Sequence, residues 1–137
     1  AVREEGFYDD PKHMLVVLVD AVWRAVRVIV DVRLHSGEMS FEEAVEMLVR
    51  ETGMGREQAV AEVKRYTYTP TYQLSYLLGK HMIRRLEEEV KEILGDRYSR
   101  SWLHEAILEE GCLPLAELRE VVLEKARALA SARIGGP

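Results

Sequence analysis

Between Met14 and Leu34 the chain is aliphatic on every side of a helix. Leu15, Val16, Val17, Leu18, Val19, Val22, Trp23, Val26, Val28, Ile29, Val30 and Val32 cannot share one face. A helix that is apolar all round is either buried all round or spans a membrane. Asp20, Arg24, Arg27, Asp31 and Arg33 fall inside the segment. Each charge near a bilayer centre costs roughly 2.5–3.5 kcal/mol, which argues against a span. The segment therefore predicts a rod inside a protein body, with neighbours on both sides. The remaining helices of the chain are modest, so a missing partner is the economical explanation for surface left over.

The charges within the rod are ordered. Asp20, Arg24, Arg27, Asp31 and His35 are separated by four, three, four and four residues. That spacing puts them on one stripe of a helix and predicts the pairs Asp20–Arg24 and Arg27–Asp31. Two readings stay open. In one, the stripe is a solvated seam held by helical salt bridges of about 0.3–0.5 kcal/mol each. In the other, it lines a polar cavity, where the arginines hold a carboxylate or an oxyanion.

The rest of the chain predicts an all-α fold, an irregular bundle of about six helices. Two are long, about 11–35 and 71–94. Asp9-Asp10-Pro11 starts the first, with Asp at the cap and Pro at the first helical position, and Gly37 stops it. Ser40-Phe41-Glu42-Glu43 is a capping box opening a helix with Phe41, Ala44, Val45 and Leu48 inward. Gly53 and Gly55 end that helix. A short helix follows over about 56–66, with Ala59, Val60 and Val63 inward, and Pro70 breaks the chain beyond it. The second long helix stops at Gly95. Ser99 or Ser101 caps a helix through Trp102, Leu103, Ala106, Ile107 and Leu108 that ends at Gly111. Pro114 starts the last, 114–132, with Leu115, Leu118, Val122 and Leu129 inward. No period-two stretch or internal repeat stands out. The chain is expected to form a single helical domain over 1–137, with the end of a preceding helix and a loop in 1–10 and a frayed tail in 133–137.

A net charge of −5, with Arg and Lys interleaved among acids as in Arg84-Arg85-Leu86-Glu87-Glu88-Glu89, excludes a basic stripe for nucleic acid. Cys112 is the one cysteine, so neither an internal disulfide nor a thiolate zinc cluster can form. With no signal-peptide pattern at the N-terminus, location stays open and the cytoplasm is favoured. His13, His35, His81 and His104 include no pair at helical zinc spacing. There is no HExxH, no phosphate loop and no GxSxG elbow. The metal ligands are therefore none, and no cofactor is expected in this chain. His35 is kept as a candidate because it ends the polar stripe.

The run from Tyr66 to Tyr76, Tyr-Thr-Tyr-Thr-Pro-Thr-Tyr-Gln-Leu-Ser-Tyr, packs hydroxyls around a helix start. Free backbone N–H groups and phenol donors suit oxyanion stabilisation. Ordinary packing of tyrosines at a core edge fits the spacing equally well.

Several phrases together carry a resemblance. They are Glu5 through Pro11, Trp23 through His35, Arg65-Tyr66 with Pro70, Gln73-Leu74-Ser75-Tyr76 and Gly79. Leu94 through Tyr98, Trp102 through Ala106, and Gly111 through Leu115 continue the order. This series resembles the C-terminal region of the bacterial family catalogued as domain of unknown function 885, over nearly the whole chain. That family is similar to helical zinc peptidases of the angiotensin-converting-enzyme type. The resemblance implies a helical HExxH-like motif and a downstream Glu as third zinc ligand, both upstream of the matched segment, with Glu5 not that ligand. It implies zinc in the full-length member and a peptide-like substrate. It implies Tyr76 as the oxyanion donor, with Gln73 a substrate contact one turn earlier. Arg24, Arg27, Asp31, His35 and Tyr72 are implied as cleft-lining residues. The sequence departs from the family pattern at Thr71-Tyr72, where a Gly commonly follows the Pro.

The expected function is therefore that of a C-terminal helical subdomain of a zinc-dependent peptidase or hydrolase, inactive alone. Its partner would be an upstream metal-binding segment. The alternatives are a stand-alone interaction module that dimerises through the first long helix, and a helical bundle that binds an anion through Arg24 and Arg27.

Overall fold

The computed structural model describes residues 10–132. The helix end and loop expected in 1–10, apart from Asp10, and the frayed tail expected in 133–137 lie outside the described residues. Those residues are all-α. Six helices follow one another: α1 (Pro11–His35), α2 (Phe41–Thr52), α3 (Arg56–Tyr68), α4 (Ser75–Leu94), α5 (Arg100–Leu108) and α6 (Leu115–Ser131). Short 3-10 turns precede and follow α4, at Tyr72–Leu74 and Gly95–Arg97. Among the described residues no helix is long and apolar enough to cross a membrane.

Local signals set most boundaries. The Asp10 carboxylate accepts from the Lys12 N–H at 2.9 Å, and Pro11 opens α1. At the other end Gly37 adopts φ 77°, which lets the Glu38 N–H reach back to the Arg33 carbonyl at 2.8 Å. The Ser40–Glu43 capping box is formed in both directions, and these bonds lower the Glu43 carboxyl below its usual range. Ser99, not Ser101, caps α5 by accepting from the Trp102 N–H at 3.2 Å.

The chain divides into two compact units, Ala1–Leu77 and Leu78–Pro137. In the first, Val26 and Val30 of α1 pack with Met39, with Ala44, Val45 and Leu48 of α2, and with Ala59, Val63 and Tyr66 of α3. In the second, Leu86, Val90 and Leu94 of α4 pack with Leu103 and Ala106 of α5 and with Leu118, Val122, Leu123 and Ala126 of α6. Three residues expected inward lie at the rim instead: Phe41, Val60 and Leu129 are each more than a third exposed. In α3 the buried line runs Ala59–Val63–Tyr66, so Val60, one residue on, is turned roughly 100° off it. In α6 the line Leu118–Val122–Ala126 continues to Ala130 and leaves Leu129 aside. Phe41 precedes the Ala44–Val45–Leu48 seam at the first position of α2.

α1 is left with the uncovered apolar surface expected from the modest size of the other helices: only Val26, Val30 and Asp31 are buried. Leu15, Val16, Leu18, Val19, Val22, Ile29 and Val32 are 44–62% exposed. The elements that pack most closely on α1 include α2, α3 and the turn Tyr72–Leu74, and its buried positions all lie in its C-terminal half.

The second long helix also begins later than expected. Thr69, Pro70, Thr71 and Tyr72 form a tight turn in which the Tyr72 N–H donates to the Thr69 carbonyl at 3.2 Å. Thr71 sits at φ 68°, ψ −17°. A Pro followed by a residue of positive φ is the arrangement of a type II turn, whose third position favours glycine. Thr71 is the sole non-glycine of positive φ among the described residues. Thr71→Gly should relieve about 1–2 kcal/mol of strain and lose about 0.5–1 kcal/mol to backbone entropy. The expected net gain of about 0.5–1 kcal/mol is measurable as a raised urea midpoint with unchanged slope.

Candidate functional site

The polar stripe of α1 changes character along its length. Asp20 and Arg24 pair at 3.2 Å with side chains more than 40% exposed. Asp31 is 2% exposed. On an ideal helix Asp20 and Asp31 point within roughly 20° of each other, so direction does not explain the difference. Position along the axis does, because the packing neighbours cover the C-terminal half. The stripe is thus solvated at its N-terminal end and buried at its C-terminal end.

At the buried end the expected Arg27–Asp31 pair does not form. Asp31 faces His35, whose Nδ1 lies 3.1 Å from Asp31 Oδ1 and 2.7 Å from the Asp31 carbonyl oxygen. The nitrogen is aimed at the backbone oxygen, so the carboxylate contact is an ion-pair distance without hydrogen-bond geometry, and Oδ1 has no hydrogen-bond partner. Arg27 turns instead to α4. Its guanidinium carbon lies 4.4 Å from the centre of the Tyr76 ring, a cation–π contact. Its Nε and Nη2 are buried and have no acceptor.

Tyr76 and Tyr72 stand together, with ring centres 6.2 Å apart and planes at 81°. Both are about half exposed. Hydrogen bonding to the Tyr76 hydroxyl pushes the Tyr72 phenol up, against smaller pulls from Arg65 and Arg27. Gln73 between them is fully buried. Its amide nitrogen donates to Thr69 Oγ1 at 2.8 Å, bracing the tight turn, and its Oε1 has no partner. The structure thus brings Arg27, Tyr72 and Tyr76 together, places Gln73 in the turn that carries the tyrosines, and leaves Arg24 committed to Asp20.

Sequence reasoning missed a part-buried hydrogen bond between α1 and α3. Tyr66 is fully buried, and its hydroxyl accepts from the Trp23 indole N–H at 3.1 Å. Burial, aided by Glu62, pushes its phenol up to about 12, against the pull of the Trp23 donor. The proton is thus held more tightly in the folded than in the unfolded chain, where the phenol titrates near 10. Stability from this source is complete below pH 10 and is lost as pH rises through about 12. The loss should reach about 2–3 kcal/mol. It should be visible as a steeper alkaline fall in unfolding free energy than that of Tyr66→Phe. The signal available was the pair Trp23 and Tyr66, but a contact across 43 residues has no periodic signature.

Among the described residues, no group of three or more His, Cys, Asp or Glu is placed to hold a metal. In the second unit a surface hollow is lined by Trp102, Glu105, Ala106, Glu109, Lys125 and Ala128. Its cation is taken up by Glu109 at 2.9 Å and Glu110 at 2.6 Å.

These features define an all-α segment whose polar groups gather where α1 meets a hydroxyl-rich turn. The chain belongs to the bacterial family described as "Bacterial protein of unknown function (DUF885)", whose sequence profile matches residues 1–122. A solved structure from Colwellia psychrerythraea, provisionally designated a lipoprotein, is similar at 34% identity with a TM-score of 0.87. The match covers 93% of this chain and 22% of that one, so this chain spans less than a quarter of its neighbour's length. No curated protein matches the chain.

Proposed function

We propose that this chain is the C-terminal helical subdomain of a zinc-dependent peptidase or related hydrolase, supplying one wall of the cleft and inactive alone. One observation carries the reading. A half-exposed phenol, Tyr76, is fixed between a guanidinium 4.4 Å from its ring and a second tyrosine ring 6.2 Å away. A phenol so held is preorganised to donate to charge that develops on a substrate oxygen. Arg27 and Tyr72 flank it. Any zinc would come from a part of the protein outside the described residues. The exposed aliphatic side of α1 favours the same reading, because contiguous apolar surface of this extent marks an interaction site. The neighbour of more than four times the matched length offers that much additional chain to cover it.

The test is Tyr76→Phe in a full-length family member carrying this segment. Turnover should fall by about 2.7–4 kcal/mol in the barrier, or roughly a hundredfold to a thousandfold, with metal content and helicity unchanged. Unchanged turnover overturns the role of Tyr76. The competing reading, a homodimer through α1, is separated by light scattering of the isolated chain. A stable dimer that loses its contact on Leu18→Lys favours that alternative.

A further inference from the structure

We infer that Arg27 is a recognition residue for a single carboxylate on the ligand, and that Arg24 is not. The inference rests on the reading of this site as part of a substrate cleft and names the group the cleft selects.

Every other described arginine of the first unit has an acidic partner. Arg24 pairs with Asp20 at 3.2 Å, Arg33 with Glu38 at 4.0 Å, Arg50 with Glu51 at 2.8 Å and Arg65 with Glu62 at 2.6 Å. Arg56 is bonded to Glu42. Arg27 alone among them has none, and two of its N–H-bearing nitrogens are buried without an acceptor. A buried guanidinium edge without an anion is costly, and a buried unsatisfied donor pair calls for an occupant. The helical partner that spacing offers, Asp31, does not pair with it, and the Asp31 Oδ1 is buried without a hydrogen-bond partner. The Nε–Nη2 edge is the fork that takes a planar carboxylate through two parallel hydrogen bonds.

Charge selects the kind of anion. Arg27 is the one uncompensated cation of the cluster. Arg65 is neutralised by Glu62, and the Asp31 carboxylate lies one helical turn from Arg27. A site with one free positive charge and a fixed carboxylate nearby suits a monoanion and disfavours a phosphate dianion. The Tyr72 and Tyr76 hydroxyls add neutral donors. The half-exposed Tyr76 ring lies beside the guanidinium, its centre 4.4 Å from the guanidinium carbon.

The carboxylate could be a peptide's C-terminus or an acidic side chain, and three probes separate these. The full chain, labelled with 15N, is titrated with N-acetyl-Ala-Ala as free acid, with its C-terminal amide, and with N-acetyl-Ala-Asp-amide. The Arg27 Nε–H resonance should shift with the free acid and not with the Ala-Ala amide. A shift with the Asp amide as well assigns the site to carboxylates in general, and its absence assigns it to C-termini. Arg27→Gln should weaken binding roughly tenfold or more, while Arg24→Gln stays within about twofold. The proposal is overturned by equal shifts from acid and amide, by no shift up to the solubility limit of the acid, or by binding that survives Arg27→Gln. If that variant misfolds, the wild-type acid-against-amide comparison still decides. No hydrolysis enters this readout, so carboxylate binding and the Tyr76 role in turnover stand or fall separately.

Discussion

Tyr66→Ala should cost about 3–5 kcal/mol, the range for removing a fully buried aromatic ring. A domain's whole stability is about 5–15 kcal/mol, so the first unit should be largely unfolded at moderate urea. Three losses add up at this one position. The ring fills the space between α1, α2 and α3 with no exposure. Its hydroxyl is the acceptor for Trp23 Nε1 at 3.1 Å. The Arg65 guanidinium also lies 5.0 Å from the ring centre. Tyr66→Phe keeps the ring and should cost only about 1 kcal/mol. Urea unfolding followed by circular dichroism separates the two variants. Similar midpoints for Ala and Phe would mean that the ring is not the keystone of this core.

The second large effect concerns the register of the last helices. Val122 is fully buried between α4, α5 and α6. Val122→Asp places an unpaired carboxylate in that core and should cost more than about 4 kcal/mol. Leu108→Asp, at a position 77% exposed, should change stability by less than about 0.5 kcal/mol. The comparison is sharp because hydrophobicity alone ranks Leu108 at least as high as Val122. A costly Leu108→Asp would show that α5 is turned differently from the arrangement described.

The helix boundaries were legible because their causes are local. Asp10-Pro11, the Ser40–Glu43 box and the glycines at 37, 53 and 95 act within a turn or two of the residues they terminate. Facing was legible where two or three apolar residues share a seam, as in Ala44, Val45 and Leu48. It failed where a single aliphatic residue sits beside the seam, as at Val60 and Leu129, because neighbouring residues look alike until a third helix is in place. The turn at Thr71 hid its positive φ because threonine carries no mark of it. The departure from the family's usual glycine at that point was the one available hint.

The candidate site was legible as a set of residues and not as an arrangement. The four, three, four, four spacing placed Arg27 and Asp31 within reach, and elementary helix geometry favoured their pairing. The pair does not form. His35, one turn further along, bonds the Asp31 carbonyl oxygen and leaves Oδ1 of the carboxylate without a hydrogen-bond partner, while Tyr76 from α4 lies against the guanidinium. Choices of that kind depend on which element arrives from elsewhere in the chain. Burial of the stripe likewise depended on axial position, which periodicity does not encode.

Arg97 shows the same dependence at the far end of the chain. Its guanidinium donates to the carbonyls of Leu129 at 2.9 Å and Ala130 at 2.5 Å. The last turn of α6 contains no basic residue of its own. A cation there offsets the negative pole of the helix and satisfies oxygens that would otherwise face water. The instruction for where α6 finishes is thus written more than thirty positions earlier, in the turn after α4. Grafting the α6 sequence into another scaffold would leave that instruction behind, and the transplanted helix should fray at its C-terminal turn unless an equivalent arginine travels with it.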